Sequence, residues 1–118
     1  MPKPGTVLQL TIETRNHFWI VISSVKNGQV LAVNITDACH CPESPCKLLV
    51  GDHPVITKPS VVFYRKARLF DASAVDEQLK DGSSVRRLDD CSEALLKRII
   101  KGAFESDDIT RKLLDHLR

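Results

Sequence analysis

The stretches HFWIVIS (residues 17–23) and VLAVNIT (residues 30–36) decide the fold of this chain. Both are short, rich in β-branched residues and almost wholly apolar, and the sequence Lys26-Asn27-Gly28 lies between them. Apolar runs of this kind around an Asn-Gly pair predict an antiparallel β-hairpin. Because the runs are continuously apolar rather than alternating, we expect both faces of the hairpin to be covered, as in a small barrel whose outer face meets a helix or a partner.

Polar side chains lie at the ends of these two runs, away from the turn. Arg15 and His17 enter the first strand as Thr36 and Asp37 leave the second. An antiparallel pair brings those ends together, so the hairpin predicts a cluster with a guanidinium, an imidazole and a hydroxyl. The alternative is that His17 is a polar residue at a strand edge and Thr36 an ordinary strand-end hydroxyl.

Further short runs of β-type sequence occupy the chain up to residue 70. They span residues 6–12, 46–50, 60–64 and 67–70. They predict five or six strands in the first part of the chain. With the hairpin they indicate a small, strongly curved antiparallel β-barrel of the SH3-like type over residues 5–70, with Trp19 mostly buried.

The period of the apolar residues changes after residue 70. Ser73 opens a short helical pattern that Gly82 can close, and Asp90-Cys91-Ser92-Glu93 has the spacing of a capping box before a second one. Ser106 precedes a third pattern, with apolar residues on one face. We therefore expect one α+β, mainly β domain over residues 1–118, whose residues 73–118 form helices that cover the barrel.

Composition limits the class of protein. The chain has 118 residues, of which 42% are hydrophobic, enough for one core. No apolar run approaches the roughly 18 residues that span a bilayer, and the first residues lack the apolar core of a signal peptide. We therefore expect a cytoplasmic protein without a membrane partner, whose four cysteines are free thiols.

The basic charge is concentrated in the first part of the chain. Residues 1–70 carry eight Lys or Arg against four acidic residues, whereas residues 71–118 carry nine against eleven. A basic β-domain is compatible with RNA or another phosphate backbone. An ordinary solvated surface explains the same charges.

Two segments offer candidate nucleic-acid contacts. If the strand alternates, Tyr64, Lys66 and Arg68 share one face, where the tyrosine could stack on a base and the cations could hold phosphates. His53 and Lys58 lie in a loop rich in Gly and Pro that could contact phosphate or a partner. The alternatives are a charged strand edge that discourages aggregation and simple turn chemistry.

Residues 39–46 bring together ligand types that suit zinc. Cys39, His40, Cys41 and Cys46 lie within eight residues, and His53 follows. However, Cys39 and Cys41 are separated by one residue rather than two, and two prolines restrict the loop. We therefore expect free thiols and neither metal nor cofactor, and a Cys46–His53 nucleophile–base pair is less favoured still.

The chain resembles the MazF/PemK/Kid family of small-barrel toxins. The resemblance runs in order through GTVL (residues 5–8), FWIVIS (residues 18–23), LAVNIT (residues 31–36) and a strand pair over residues 61–70 that precedes a helix. It covers roughly 70 to 100 residues. The family's Arg-Pro pair reads His17-Phe18 here.

The resemblance implies a PemK-like barrel, sequence-specific cleavage of RNA, an antitoxin partner and a homodimer. It places Thr36 at the family's catalytic threonine, while the role of the family's arginine would pass to His17 or Arg15. Two functions therefore stay open. The first is a toxin-like endoribonuclease that cleaves RNA without metal through Arg15, His17 and Thr36. The second is a non-catalytic module that binds nucleic acid or a protein through the same surface.

Overall fold

The structure is a computed structural model that describes residues 2–12, 15–82 and 84–118. One antiparallel sheet curls into a half-barrel and carries α-helices on its faces. The strands are β1 (Val7–Ile12), β2 (Arg15–Val21), β3 (Gln29–Asp37), β4 (Lys47–Leu48), β5 (Ser60–Asp71) and β6 (Val85–Leu88). The helices are α1 (Ala72–Asp81), α2 (Glu93–Glu105) and α3 (Arg111–Leu114), with 3₁₀ turns at Ala38–His40 and Asp115–Leu117.

The strand order is β4-β5-β3-β2-β1-β6, and every described pair is antiparallel. The predicted hairpin is confirmed as β2 and β3 in the middle of the sheet. The predicted mainly β class with C-terminal helices is also confirmed, although β4 and β6 are edges of an open half-barrel. Among the described residues, no helix is long and apolar enough to cross a bilayer.

The central strands bury side chains on both faces, as their continuous apolarity predicts. Ile20 and Val33 belong to a core cluster that includes α2 residues, whereas Trp19 and Ala32 belong to a second cluster that includes Val75 of α1. Alternation along each strand explains this division, because successive side chains point to opposite faces. Trp19 is 7% exposed, which confirms the predicted burial.

The strand β5 is one continuous element, where the sequence predicts two. Its register against β3 shifts between the pairs Asn34↔Phe63 and Ala32↔Arg68, so Val33 faces four residues of β5. Three extra residues on one strand form a special bulge, larger than the usual insertion of one. Because three is an odd number, the alternation of side chains is reversed beyond the bulge, so side chains that would point to one face of the sheet point to the other.

The strand β6 lies in the region where the sequence predicts helices alone, and that prediction is wrong here. Val85–Leu88 pairs with Val7–Leu10 of β1 and closes the edge that β1 would otherwise expose. The segment reads VRRL, which is too short to alternate clearly. The segment forms a strand because it pairs with β1, about 78 residues earlier, and no local sequence pattern indicates a partner so far away.

One predicted helix end is confirmed, and the predicted N-caps differ. The capping box places Asp90 first, whereas Ser92 begins α2, and its hydroxyl accepts a hydrogen bond from Leu95 N at 3.1 Å. Gly82 ends α1 with φ 71°, a left-handed conformation that favours glycine. In contrast, α1 is capped by Asp71 rather than by Ser73, whose hydroxyl donates to the Asp71 carboxylate at 2.7 Å.

The last helix begins later than predicted. Thr110, not Ser106, is its N-cap, and the Ser106 hydroxyl accepts from Asp108 N in a separate turn. The predicted apolar face still packs, because Ile109 is buried and Leu113 lies against the same core cluster. The strand predicted over residues 46–50 is likewise shorter, since only Lys47–Leu48 pairs with β5.

Tyr64 joins the bulge of β5 to α2. Its hydroxyl donates to the Ile99 carbonyl at 2.6 Å, and burial raises the pKa of Tyr64 well above its usual range, so the phenol stays a donor. The ring also fills the space beside Gly102, where a Cβ would collide with the phenol oxygen and lie 3.1 Å from the Cβ of Cys46. Glycine therefore allows the close approach of helix and sheet.

We expect Gly102→Ala to lower the free energy of unfolding by about 1–3 kcal/mol, the usual cost of overpacking. Tyr64→Phe alone should cost about 1 kcal/mol through the lost hydrogen bond. Because Phe lacks the colliding oxygen, Gly102→Ala should cost less in the Tyr64→Phe background. Urea denaturation of the four chains measures this coupling, and strictly additive costs would contradict the contact.

A second contact, the Arg98–Asp52 clamp, holds the loop after β4 against α2. The Arg98 guanidinium donates to the Asp52 carboxylate at 3.1 and 3.4 Å and to the Lys47 carbonyl at 2.7 Å. Asp52 also accepts from Leu49 N at 2.8 Å. The Arg98 hydrogen bond, followed by the bond from Leu49 N, holds the pKa of Asp52 below its usual range.

We expect Asp52→Asn to lower the free energy of unfolding by about 1–2 kcal/mol at pH 7. A carboxyl whose pKa is lowered by folding stabilises the fold above its unfolded pKa of about 4, and this contribution disappears as the pH falls through the folded pKa. Denaturant titrations from pH 7 down to pH 3 should therefore show the two chains converging. Asp107→Asn, at an exposed position, is the control and should show no such convergence. A difference that persists in acid would count against the clamp.

Candidate active site

A pocket of about 590 Å³ opens at the end of the β2–β3 pair that lies away from the turn. Phe18 pairs with Ile35, so the next residues outward on the two strands are His17 and Thr36. Both line the pocket, as does Arg15. The described lining residues are Arg15, Asn16, His17, Phe18, Asn34, Ile35, Thr36, Asp37, His40, Val55, Thr57, Lys58, Ser60, Phe63 and Lys66.

The turn at the other end of the hairpin sets this register. Asn27 has φ 55° and Gly28 φ 75°, which is the conformation of a tight hairpin turn, and Lys26 and Gln29 bond to each other across it. A local irregularity follows, where the Ser23 hydroxyl accepts from Leu31 N at 2.8 Å. Regular pairing then continues to Phe18↔Ile35. The predicted meeting of Arg15, His17 and Thr36 is therefore present in the lining of this pocket.

His40 also lines the pocket, although from the sequence alone it is only a candidate metal ligand. The 3₁₀ turn Ala38–His40 follows β3 directly and turns the chain back toward the end of that strand. His40 Nδ1 lies 2.9 Å from Thr36 Oγ1, a hydrogen-bond distance. The spacing of four residues from Thr36 is the only signal in the sequence, and it becomes informative once the strand is known to end in a 3₁₀ turn.

The pocket carries more positive than negative charge among its described residues. Arg15, Lys58 and Lys66 are cationic, and Asp37 is the acidic lining residue. Asp37 pairs with Lys58 at 3.1 Å across the pocket rim. Such an excess of cations suits a phosphate group.

The bulge of β5 separates Tyr64 from Lys66 and Arg68, three residues that the sequence predicts on one face. Tyr64 is 2% exposed, packs in the core cluster and bonds to α2, so the prediction is wrong for it and it is too buried to stack on a base. Lys66 and Arg68 alternate with core-facing Ala67 and Leu69, so these two cations do share a face. Lys66 lines the pocket, and the Arg68 guanidinium lies 4.9 Å from the centre of the Phe70 ring and 6.0 Å from that of Trp19.

His53 is also held inside the protein. It is 6% exposed, its Nε2 donates to the Asp89 carbonyl, and its Nδ1 accepts from Val55 N at 3.1 Å. Both ring nitrogens therefore have backbone partners, Val55 in the same loop and Asp89 in the segment between β6 and α2. The predicted contact of His53 with nucleic acid is wrong for this arrangement, while Lys58 of the same loop does reach the pocket.

The cysteines do not gather into one site. Cys39 is exposed, whereas Cys41 and Cys46 are buried, and Cys91 is half-buried. Burial raises the pKa of the Cys41 and Cys46 thiols, which opposes formation of the thiolate. Within the described residues, both ring nitrogens of His53 bond to backbone groups, so His53 offers Cys46 no free nitrogen as a base.

Comparisons with known proteins were made on sequence and on structure. A scan against models of protein families finds no match, and neither does a search of curated proteins. A solved structure that is similar to this chain is an endoribonuclease in complex with its cognate antitoxin from mycobacterial species. The TM-score is 0.56 and the sequence identity 14%, and the match covers 92% of this chain and 95% of that one. This chain has a MazF/PemK-like fold.

The MazF/PemK-like fold is present here with little sequence similarity. At 14% identity few side chains are shared, while the order of strands and helices extends over nearly the whole chain. The resemblance predicted from the segments around residues 5–8, 18–23 and 31–36 is thereby confirmed at the level of the fold. The chemistry of this version of the fold depends on its own pocket residues.

We expect His53→Ala to act on stability and not on RNA binding. It removes two hydrogen bonds to backbone groups in a nearly buried loop, which should lower the free energy of unfolding by about 1–3 kcal/mol. Affinity for a short RNA, measured below the unfolding transition, should change less than threefold. Lys58→Ala is the contrasting variant, because its ammonium lines the pocket and its exposed pair with Asp37 contributes little stability. A large affinity loss in folded His53→Ala would contradict this assignment.

Proposed function

We propose that this chain is a toxin-like endoribonuclease that cleaves RNA without a metal ion. The observation that carries the proposal is that Arg15, His17, Thr36 and Lys66 line one pocket in a chain with a MazF/PemK-like fold. Cleavage of a phosphodiester by its own 2′-hydroxyl needs proton transfer and charge stabilisation, which an imidazole, a guanidinium and a hydroxyl can supply, while an ammonium attracts the RNA backbone.

In the proposed reaction the ribose 2′-oxygen attacks the adjacent phosphorus as the bond from phosphorus to the 5′-oxygen breaks. His17 takes the proton of the 2′-hydroxyl, and solvent in the open pocket gives a proton to the leaving 5′-oxygen. The products are a 2′,3′-cyclic phosphate and a 5′-hydroxyl. The His17 imidazolium then returns its proton to the solvent hydroxide, so atoms and charges balance with RNA alone as the substrate.

The other residues stabilise the charge that develops on the phosphate. Arg15 can hold two of its oxygens at once, because a guanidinium presents paired N–H donors. Thr36 donates its hydroxyl proton to one of the same two non-bridging oxygens. For that, His40 must carry its proton on Nδ1 and donate it to Thr36 Oγ1, and their 2.9 Å separation is a hydrogen-bond distance. His40 is then a positioning residue.

The second candidate is a non-catalytic module that binds nucleic acid or a protein through the same pocket. The observation that favours it is His17-Phe18 at the position where the resembled family has Arg-Pro. The similar solved structure is a complex with an antitoxin, which supports a protein partner of that class for this chain as well. A cytoplasmic location and a homodimer belong to the same proposal.

The decisive experiment is cleavage of a mixed-sequence RNA in the presence of EDTA. We expect the intact chain to cleave, and we expect His17→Ala and Thr36→Ala to lower kcat about 10²- to 10⁴-fold, the usual loss when a proton-transfer or charge-stabilising group is removed. RNA affinity should stay within a few-fold, because neither change removes a full charge from the pocket. Unchanged cleavage in both variants would reject the site. Tight RNA binding without cleavage by the intact chain would favour the second candidate.

Lys66 and Arg65 offer a matched test of the pocket. They are neighbours on the bulge, yet Lys66 lines the pocket whereas Arg65 pairs with Asp108 at 3.5 Å. We expect Lys66→Ala to raise KM, with the effect shrinking as salt is added, and to leave kcat within a few-fold. Arg65→Ala removes the same charge and should change KM less than twofold. Equal effects of the two substitutions would indicate diffuse electrostatic attraction instead of a contact in the pocket.

A further inference from the structure

Three different metal-ligating side chains converge at the rim of the pocket. The ligand atoms of Asp37, Cys39 and His40 lie within 4.8 Å of one another. All three belong to four consecutive residues, at the end of β3 and in the 3₁₀ turn that follows it. They are half-exposed or exposed, so an ion from solution reaches them without opening the core.

The ligand types favour zinc over the hard cations. One thiolate sulfur, one imidazole nitrogen and one carboxylate oxygen form a mixed set that suits Zn²⁺, whereas Mg²⁺ and Ca²⁺ prefer oxygen alone. Bonds of 2.0–2.3 Å in a tetrahedral site set the ligand atoms roughly 3.5 Å apart. The ligand atoms lie up to 4.8 Å apart, and rotation of these exposed or half-exposed side chains can bring them to the tetrahedral spacing. Three protein ligands leave the fourth position open.

This set keeps Cys39 and His40 of the group noted in the sequence, where no metal is expected, and adds Asp37 in place of the other cysteines. Cys41 lies in another group, with Glu43 and Asp108, but its thiol is buried and Asp108 already pairs with Arg65. The group at the rim therefore has the better access. It also has a direct connection to the candidate active site, which the second group lacks.

We propose that Asp37, Cys39 and His40 bind Zn²⁺, and that the bound ion inhibits the RNA-cleaving pocket. The inhibition rests on the proposed function, whereas ion binding does not. In the metal-free arrangement His40 contacts Thr36 at 2.9 Å and Asp37 pairs with Lys58 at 3.1 Å. In this proposal zinc takes His40 Nδ1 and the Asp37 carboxylate as ligands. Bound through that nitrogen, it competes with the bond that orients Thr36, and through the carboxylate with the ion pair that holds Lys58.

Binding is tested first, without any RNA. Zn²⁺ is titrated against a chromophoric chelator, and Co²⁺ serves as a spectroscopic probe, because a cysteine ligand gives Co²⁺ a thiolate charge-transfer band. We expect one ion per chain, a loss of affinity of at least tenfold in Cys39→Ser, and no charge-transfer band in that variant. Cys91→Ser, at a thiol remote from the rim, and Glu43→Gln, in the other group, should bind as the intact chain does. Unchanged affinity in Cys39→Ser, or an equal loss in either control, overturns the site.

Inhibition is tested by cleavage of RNA with Zn²⁺ added and then removed by EDTA. Cys39 does not line the pocket, so Cys39→Ser should cleave at the intact rate without zinc. We expect zinc to slow the intact chain at least tenfold, EDTA to restore it, and Cys39→Ser to need at least tenfold more zinc for the same effect. Activation by zinc, or equal inhibition of both chains, overturns the regulatory role. An intact chain that never cleaves RNA removes that role together with the proposed function, while the binding result stands independently.

Discussion

The pairing of β3 with its two neighbours is the constraint on which the rest of the structure depends. On one side, its register with β2 puts His17 beside Thr36 at the open end of the hairpin. On the other side, Val33 faces four residues of β5 instead of one. Because the excess is odd, Tyr64 points into the core and Lys66 into the pocket. One strand therefore determines both the main core contact of α2 and the positive charge of the pocket.

Much of this arrangement follows from local sequence, and the exceptions have clear physical causes. The hairpin, the burial of Trp19 and the helix end at Gly82 depend on neighbours within a few residues, so patterns reveal them. The strand β6 depends on a partner about 78 residues away, and the bulge depends on packing against α2. Neither leaves a local pattern. Tyr64 and His53 were misassigned for the same reason, since an aromatic or imidazole side chain near cations gives no sign of which way its strand or loop faces.

Some residues of the candidate site can likewise be predicted from local sequence, and others cannot. Strand ends are predictable, so Arg15, His17 and Thr36 could be placed together from the hairpin alone. His40 could not, because its approach to Thr36 requires the 3₁₀ turn after Asp37. That turn adds a second imidazole to the pocket beside His17, which stands where the resembled family has its arginine. A chain that lacks the family's signature therefore still presents groups able to donate protons, accept them and neutralise a phosphate.

The contact between β1 and β6 has a consequence for how the protein forms. Val7 pairs with Leu88, so the outermost ladder of the sheet joins an early segment to a late one. Closing so long a loop is entropically slow compared with forming the central hairpin. During synthesis the pocket-lining segment, residues 15–66, leaves the ribosome before β6 and α2 exist. A nascent chain therefore holds the chemical groups of the pocket well before it holds the strand and helix that fix them, and full order arrives only with the last third of the polypeptide.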